Sequence, residues 1–504
     1  MIVGVPKEIN GGCLIPRHPR SDLFFRPIGY ALVAWWTLLF LYGLNAGPLY
    51  RTESLRAIIG AECVRGHWLY PVLYGEPFLT KPPGHYAAIG LCSLPFGGVT
   101  DWSARLPSVI AATVAVVLMV GLFRRTLGDR AALVAGFLLP TSVLWLDKVP
   151  SAEIDMTLVG WVTASLVLFH RAIETPGPPS LGFLTTSLLC VAAGTLTKWT
   201  APAFFALTAV PLLAWQGRLR LLVGWRFLLA VGLAVAVVTG WALAVAGQVG
   251  WDALADTVRK EAAYRFAPKS ATKGYPWVEV VTYPLLVLAA HLPLSLFALR
   301  TLRPSFLQSC DDRTRRVVQF LHCWTWPNLL FWALVPNHNV RYALPLSPGL
   351  MGLGVVGLLQ YYGSLPLSRD AERSAKASVL RSASRLNNFL VVFLALWLAA
   401  KVVFVEVVVP RRTANRNAEA TAAELRGLVP PGEILYLSKL KDEGVLFYYG
   451  RPARKRPDAA DMPRPCYAAL IQSEWDARGA GGGVELVRRL YDQQGDPLIL
   501  VHVR

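Results

Sequence analysis

The sequence predicts a mainly helical protein that crosses a membrane many times, and three observations carry that prediction. Of its 504 residues, 54% are hydrophobic and only 16% charged, with a mean hydropathy of +0.42, well to the apolar side of soluble chains. The apolar residues gather into runs of about 17 to 25, the length that spans a bilayer as helix. The 50 Lys and Arg residues, which bring the formal charge to +18, sit in short clusters between those runs, where membrane orientation signals belong. No basic-aromatic module accompanies them, so nucleic acid is not an expected partner. The seven cysteines are scattered and give neither a disulfide framework nor a metal spacing.

Taken in order, the chain opens with a tail, residues 1–26, carrying Lys7, Arg17, Arg20 and Arg26. The first apolar run, near 27–47, lacks a processing site and reads as an uncleaved signal anchor. Further runs lie near 105–123, 131–147, 155–172, 180–197, 200–216, 221–247, 277–299, 317–336, 342–361 and 388–409. The stretch Ala87 to Val99 is shorter and is broken by Pro95, Gly97 and Gly98. Charge decides its reading. If it does not cross and the N-terminus is cytoplasmic, the clusters around Arg124, Arg218, Arg313 and Arg373 all fall inside; if it crosses, the positive-inside rule fails loop after loop. It is therefore expected to lie in the interface or to be re-entrant.

The resulting organisation is a membrane domain over 27–409 with about 11 to 13 transmembrane helices, in a plasma (inner) membrane. Its first external loop is 50–104 and another is 248–276; an extracytoplasmic α/β domain covers 410–504. In that last part Glu433–Ser438, Tyr467–Gln472 and Leu498–Val503 read as strands and Val484–Tyr491 as helix.

This topology puts several polar residues on one side. Glu53 stands just beyond the first span and Asp155 at the start of another, positions where an ionised group is either a rim charge or part of a site. Lys81 precedes Pro82-Pro83, which hold the backbone out of helix and place the lysine at the depth of a lipid phosphate. Lys198 ends a span beside Trp199. The turn Asn337-His338-Asn339-Val340-Arg341-Tyr342 is more polar than a turn needs, and Arg341 is placed to pair with a phosphate or with Asp155. The 248–276 loop is basic although external, with Arg265 among its cations, which calls for an anionic ligand; Pro268, Gly274 and Pro276 give it the look of a lid. His67 and His85 lack a recognised metal-ligand spacing.

In order along the chain, Glu53, Gly66-His67-Trp68, Pro71, Gly75-Glu76-Pro77, Lys81-Pro82-Pro83, Arg105-Leu106-Pro107-Ser108, Ala152-Glu153-Ile154-Asp155, Thr197-Lys198 and Arg341-Tyr342-x-Leu344-Pro345 resemble the GT-C glycosyltransferases. The branch is that of the lipid A aminoarabinose transferases and protein O-mannosyltransferases. The resemblance covers roughly residues 27 to 360. It implies interfacial helices in the first external loop and transfer of a sugar, with inversion, from a polyprenyl-phosphate donor to a lipid or protein acceptor among the membrane lipids. It makes Glu53 and Asp155 the catalytic acids and Lys81 a ligand of the donor phosphate; by charge and position, Lys198, Arg265, His338, Arg341 and Tyr342 are further expected to bind donor phosphate or substrate. Two departures stand out: Thr52-Glu53 replaces the common Asp-Glu, which leaves a single carboxylate as base, and Thr80 replaces the usual Glu before the lysine. No cofactor is required by this scheme, no metal ligand is assigned, and a divalent ion is left open. The alternative is a transporter or flippase of lipid-linked sugars that does no bond chemistry.

Overall fold

The computed structural model describes residues 20–175, 177–266, 275–337, 339–363, 376–414, 416–440, 442–456, 461–478 and 483–504. Its helices follow the apolar runs. Those that position the site are α1 (Arg20–Leu41), α2 (Thr52–Val64), α3 (Gly84–Ser93), α4 (Asp101–Leu127), α5 (Asp129–Leu138), α6 (Val143–Lys148), α7 (Ile154–Ile173), α8 (Leu181–Thr197), α9 (Ala201–Trp215), α10 (Trp225–Val249), α11 (Trp251–Phe266), α12 (Trp277–Ala290), α13 (Leu294–Arg300), α14 (Pro304–Ser309), α15 (Asp312–Leu334) and α16 (Ser347–Tyr361). A long helix, Lys376–Val403, then runs through a π-helical turn, Phe404–Val408, into Val409–Thr413. The protein is a mainly α, multi-pass membrane protein with a small C-terminal sheet.

Local chemistry sets the ends of these helices. Thr100 and Ser103 form a reciprocal capping box at the start of α4, and the Asp311 carboxylate accepts from Thr314 N at the start of α15, each satisfying a backbone donor that the first turn leaves open. Five described helical stretches are long and apolar enough to cross a membrane alone: α4, α7, α10, 340–361 and 384–413. The run expected at 277–299 is instead two helices, α12 and α13, meeting at 113°, broken where Pro293 withholds a backbone donor. The run at 131–147 is likewise split, at 139–142, next to Pro140. The interior is one continuous apolar cluster reaching from Trp35 to Leu386. The backbones of α13 and α16 pack so closely that a Cβ at Gly354 would come within 2.6 Å of Leu294 O, the close approach that small residues allow between helices.

The stretch 87–99 holds the end of the ten-residue helix α3 and a 3-10 turn, Leu94–Phe96, too short to span a bilayer alone. Arg105 near the start of α4 pairs with Glu53 just after α1, so the chain returns to the end of the bundle from which it left. Between them lie two short helices, α2 and α3, and a hairpin of β1 (Val72–Leu73) and β2 (Glu76–Pro77). At the opposite end Arg313 donates to Arg125 O, Arg125 pairs with Glu174, and Arg218 donates to Ile173 O and Gly177 O. Basic clusters from three expected inside loops thus meet at one end. The loop expected at 248–276 begins with the helix α11, in which Leu254 is buried against Leu79 and Val245; residues 267–274, where the lid reading places Pro268 and Gly274, lie outside the described set.

After Thr413 come the helix Ala418–Leu428 and β3 (Leu435–Leu437), β4 (Ala453–Lys455), β5 (Cys466–Ile471), β6 (Val484–Tyr491) and β7 (Pro497–Val503). They form one sheet in the order β4-β3-β5-β7-β6, parallel among β4, β3 and β5 and antiparallel between β7 and its two neighbours. The segment 484–491, expected as helix, is therefore a strand. Its apolar residues Val484, Val487 and Leu490 have helical spacing, but a bulge between Leu486 and Arg488 uses up one residue. Val484 then packs on one face of the sheet and Val487 and Leu490 on the other, as a bulge permits.

Gly357, also on the α16 face, has no room for a Cβ against Phe297 O, whereas Gly232 on α10 has nothing within 4 Å. Gly357→Leu is expected to lower stability by about 1–3 kcal/mol, seen as a lower unfolding midpoint in detergent, and Gly232→Leu to leave it unchanged. Equal midpoints for the two variants would refute close packing of α13 on α16.

Candidate active site

The backbone from Ala152 to Asp155, entering α7, is held by side chains from three other elements. On α2, Glu53 and Arg56 are three residues apart and share a face. Glu53 Oε1 accepts from Ala152 N at 2.8 Å, while Arg56 donates to Ala152 O and, at 3.1 Å, to Glu153 Oε1. On α4, Ser108 Oγ accepts from Glu153 N at 3.1 Å. From the 3-10 turn Val340–Leu346, Arg341 reaches Glu153 Oε2 at 3.4 Å. Asn339 starts that turn by accepting from Arg341 N.

Glu53 is fixed from a second side by Arg105, whose Nε lies 3.3 Å from Glu53 Oε1 and whose remaining donors go to Leu44 O and Gly47 O. Both described bonds of Glu53 use Oε1, and its side chain is 18% exposed, which turns Oε2 toward open space. That space is a cavity of about 480 Å³ lined by Glu53, Asp147 and Glu153 and by six cations, Arg51, Arg105, Lys148, Arg341, Arg412 and Arg416. Arg412 pairs with Asp147 at 3.0 Å and Arg416 stands over the Tyr50 ring at 3.6 Å.

Behind Arg341 lies a second, buried group. Lys198, at the C-terminus of α8, pairs with Asp155 and sits 4.4 Å above the Tyr342 ring; Asp155 and Lys198 are 1% and 4% exposed. Asp155 Oδ2 and Arg341 Nε face each other across 3.8 Å, both shielded and without a hydrogen bond. At that separation attraction persists but a hydrogen bond does not. Lys81 forms a third group: it pairs with Glu261 on α11, and Arg265 stands one turn further along that helix, its side chain outside the described residues. Asn337 ties α11 to the 337–341 turn through Tyr264 O. Gly84 abuts Leu196 O and Thr197, which sets the Lys81 turn beside the end of α8. His338 lies outside the described residues.

Of the expected site residues, Glu53 and Arg341 line the cavity, Asp155, Lys198 and Tyr342 stand behind Arg341, and Lys81 with Arg265 belong to the α11 side. Sequence reasoning missed Glu153, Arg56 and Arg105 as parts of the site, and Arg412 and Arg416 as well. The signal for Glu153 was present, since an acid at the residue before Ile154 occupies a helix N-cap. His85 is buried and bonded to Thr157 Oγ1 at 2.8 Å; burial, then Arg56, lower it to about 3, so it stays neutral. His67 lies 4.0 Å from Glu62. Among the described residues no three His, Cys, Asp or Glu side chains converge as a metal set.

Burial alone would raise the Glu153 carboxyl, but Arg56, Arg341, Lys148 and Lys198 outweigh it and hold it well below the usual 4.5, at about 2. A carboxylate lowered in this way stabilises the fold above its unfolded value and loses that contribution as pH falls through the folded one. The acid limb of stability is therefore expected between about pH 4.5 and 2, and Glu153→Gln should flatten it. At neutral pH the same change strands Arg56 and Arg341 and should cost about 3–5 kcal/mol, measured as a lower thermal midpoint in detergent. An unaltered midpoint and acid limb would show that the two arginines do not depend on Glu153.

Residues 80–242 match the family described as dolichyl-phosphate-mannose-protein mannosyltransferase. The undecaprenyl phosphate-alpha-4-amino-4-deoxy-L-arabinose arabinosyl transferase of Pseudomonas aeruginosa strain UCBPP-PA14 is 32% identical over 353 residues, covering 66% of this chain and 61% of that protein. The protein of the same name from Erwinia tasmaniensis is 26% identical over 360 residues, covering 70% and 62%. The chain thus spans a little under two thirds of the length of these relatives. The crystal structure of ArnT from Cupriavidus metallidurans bound to undecaprenyl phosphate shares the fold, with a TM-score of 0.73 at 18% identity over 97% of this chain and 99% of that one. The matches in sequence and in fold together support a GT-C glycosyltransferase of the aminoarabinose transferase and protein O-mannosyltransferase type.

Proposed function

We propose that this chain is an inverting glycosyltransferase of the inner membrane that moves a sugar, a pentose by analogy with its relatives, from a polyprenyl phosphate to a lipid acceptor. The names of the relatives support the donor class and the transfer. The observation that carries the reading is Glu53: a carboxylate locked by one oxygen, with the other facing a cavity that holds twice as many cations as acids. The reaction needs that combination. As an acceptor hydroxyl attacks the anomeric carbon, its proton passes to Glu53 Oε2 and the bond from that carbon to the phosphate oxygen breaks. The electron pair leaves with the polyprenyl phosphate, and attack opposite the leaving group inverts the centre.

The departing phosphate gains charge and is stabilised by cations already in place. Arg341 fills that role from the cavity wall, with Lys81 standing where its turn meets α11. Lys198 and Asp155 act one step back: their buried pair holds Tyr342 and the far side of Arg341, so Asp155 steers a cation rather than the acceptor. The site and the sheet face the extracytoplasmic side in this reading, with the N-terminus cytoplasmic. The gathering of Arg125, Arg218 and Arg313 at the other end supports that orientation.

The test is release of polyprenyl phosphate by purified protein given a panel of polyprenyl-phosphate sugars and acceptor lipids. Glu53→Gln is expected to abolish release while the protein still folds, its amide oxygen accepting from Ala152 N and Arg105 keeping Leu44 O and Gly47 O, and Lys81→Ala to raise the donor KM. Full activity in Glu53→Gln would remove Glu53 as the base. Specific donor binding without release, with acceptors supplied, would favour a transporter.

A further inference from the structure

The long helix Lys376–Val403 is loosely held: of the apolar window within 384–413, only 11% is buried in the protein. It meets the bundle through Leu386, fully buried, and through a run of aromatic rings. Phe389 packs on Phe297 of α13 at 6.3 Å and on Tyr362, just after α16, at 6.0 Å. Phe393 stacks on Phe389 at 5.7 Å and Trp397 on Phe393 at 6.1 Å, each one turn further along the same face. Beside that contact runs a groove of about 790 Å³, between the end of α16 at Tyr361 and Tyr362 and the part of the long helix that carries Arg385, Asn388, Val392 and Leu396.

The groove is graded along its length. Arg385 and Asn388 form its polar end, and Val392 and Leu396, 59% and 65% exposed, continue the same stripe, so charge and last apolar residue are about 16 Å apart. Arg300, the last residue of α13, stands 4.9 Å over the Tyr361 ring. Arg385 faces Tyr362, whose ring is 5.0 Å from that of Tyr361; two guanidiniums thus flank one tyrosine pair, the residue type that marks a membrane interface. Gln360 donates to Ser309 Oγ at 3.0 Å, which ties this end of α16 to the segment just before Arg313, at the basic end of the bundle. There Arg125 pairs with Glu174, and Arg313 and Arg218 cap helix carbonyls. No acid answers Arg300 or Arg385 among the described residues. Cations without acids above an exposed apolar trough fit an amphiphile with an anionic head. A soluble anion would leave the trough bare, and an apolar segment would leave the arginines unanswered.

We infer that the groove between the end of α16 and the long helix binds an anionic glycerophospholipid from the leaflet at the basic end of the bundle. Arg385, Arg300 and Asn388 hold its phosphate, and an acyl chain lies along Val392, Phe393 and Leu396. The site is independent of the transferase reading, since it lies at the end of α16 opposite the Arg341 turn. The lipid supplies the wall that the long helix lacks, and the continuation of that helix carries Arg412 into the active-site cavity.

The test titrates the full-length, delipidated protein in detergent with phosphatidylglycerol or with phosphatidylcholine of the same chains, reading bound lipid by native mass spectrometry and the unfolding midpoint alongside. Arg385→Glu reverses the charge of the groove, and Val392→Trp fills it without altering charge. Arg220→Glu, exposed at the same end of the bundle and outside the groove, is the control. Phosphatidylglycerol is expected to bind saturably and raise the midpoint, and to bind at least about tenfold more weakly in Arg385→Glu, the loss of a charged contact. Val392→Trp should also weaken it, and Arg220→Glu should not; if Arg385→Glu does not fold, Val392→Trp decides alone. Equal binding of the two lipids would overturn the assignment, as would undiminished binding in both groove variants or an equal loss in the control. Full displacement by inorganic phosphate would make the ligand a soluble anion, and tighter binding of polyprenyl phosphate would make it the carrier lipid; either refutes the proposal. So would a dimer that Val392→Trp dissolves, which would seat a second copy in the groove.

Discussion

The polar end of the helix bundle depends on how the few residues before α7 are gripped. The peptide group between Ala152 and its neighbours would be an unsatisfied cost in an apolar surrounding. Instead its N–H goes to Glu53, its carbonyl to Arg56, and the adjacent Glu153 to two arginines. Ions so buried are expensive to desolvate, and an apolar substitute is often at least as stable. What the charges add is register. Between them they join α2, α4, α7 and the turn at Arg341, which have one mutual arrangement in which these charges are paired.

That arrangement explains why Glu53 and Asp155 differ although the sequence offers them as equals. Glu53 keeps an oxygen toward a cavity because its two anchors share the other oxygen. Asp155 sits at the start of α7, where the helix dipole favours a carboxylate, and is closed off by Lys198, Arg341 and Tyr283, the last being buried nearby. An acid with an open face can take a proton from an incoming molecule. An acid surrounded by the protein can only orient what surrounds it.

Much of the fold was legible because its periodicity is coarse: a run of apolar residues long enough to span leaves few alternatives. The failures came where a local device overrode the pattern. Pro293 and the 139–142 turn broke two runs that hydropathy draws as continuous, and the bulge after Leu486 gave a strand the spacing of a helix. The short strand at Ala453–Lys455 is mostly charged and carries no alternation to detect. In α11, basic residues masked an amphipathic helix in which Leu254 is buried. For the site, charge at the ends of spans exposed Glu53, Asp155, Lys198 and Arg341. Glu153, Arg56 and Arg105 escaped notice because their partners are 52 to 188 positions away in sequence, a proximity that only the packed bundle creates.

The sheet makes its own contribution to that rigidity. Tyr448 accepts from Leu49 N and donates to Asp101, and Gln493 donates to Leu49 O. Burial raises the Tyr448 phenol far above its usual range, reinforced by Asp101, so it remains a donor at any accessible pH. These bonds fix the chain on both sides of the first loop, just where α1 hands over to α2 and α4 begins. Helix α2 is then clamped at its N-terminus by the bundle and along its outer face by the sheet, with Ile58 packed against the sheet's core. A helix held that way keeps Glu53 against Ala152 N, so the sheet supports the position of the acid although it lies outside the bundle.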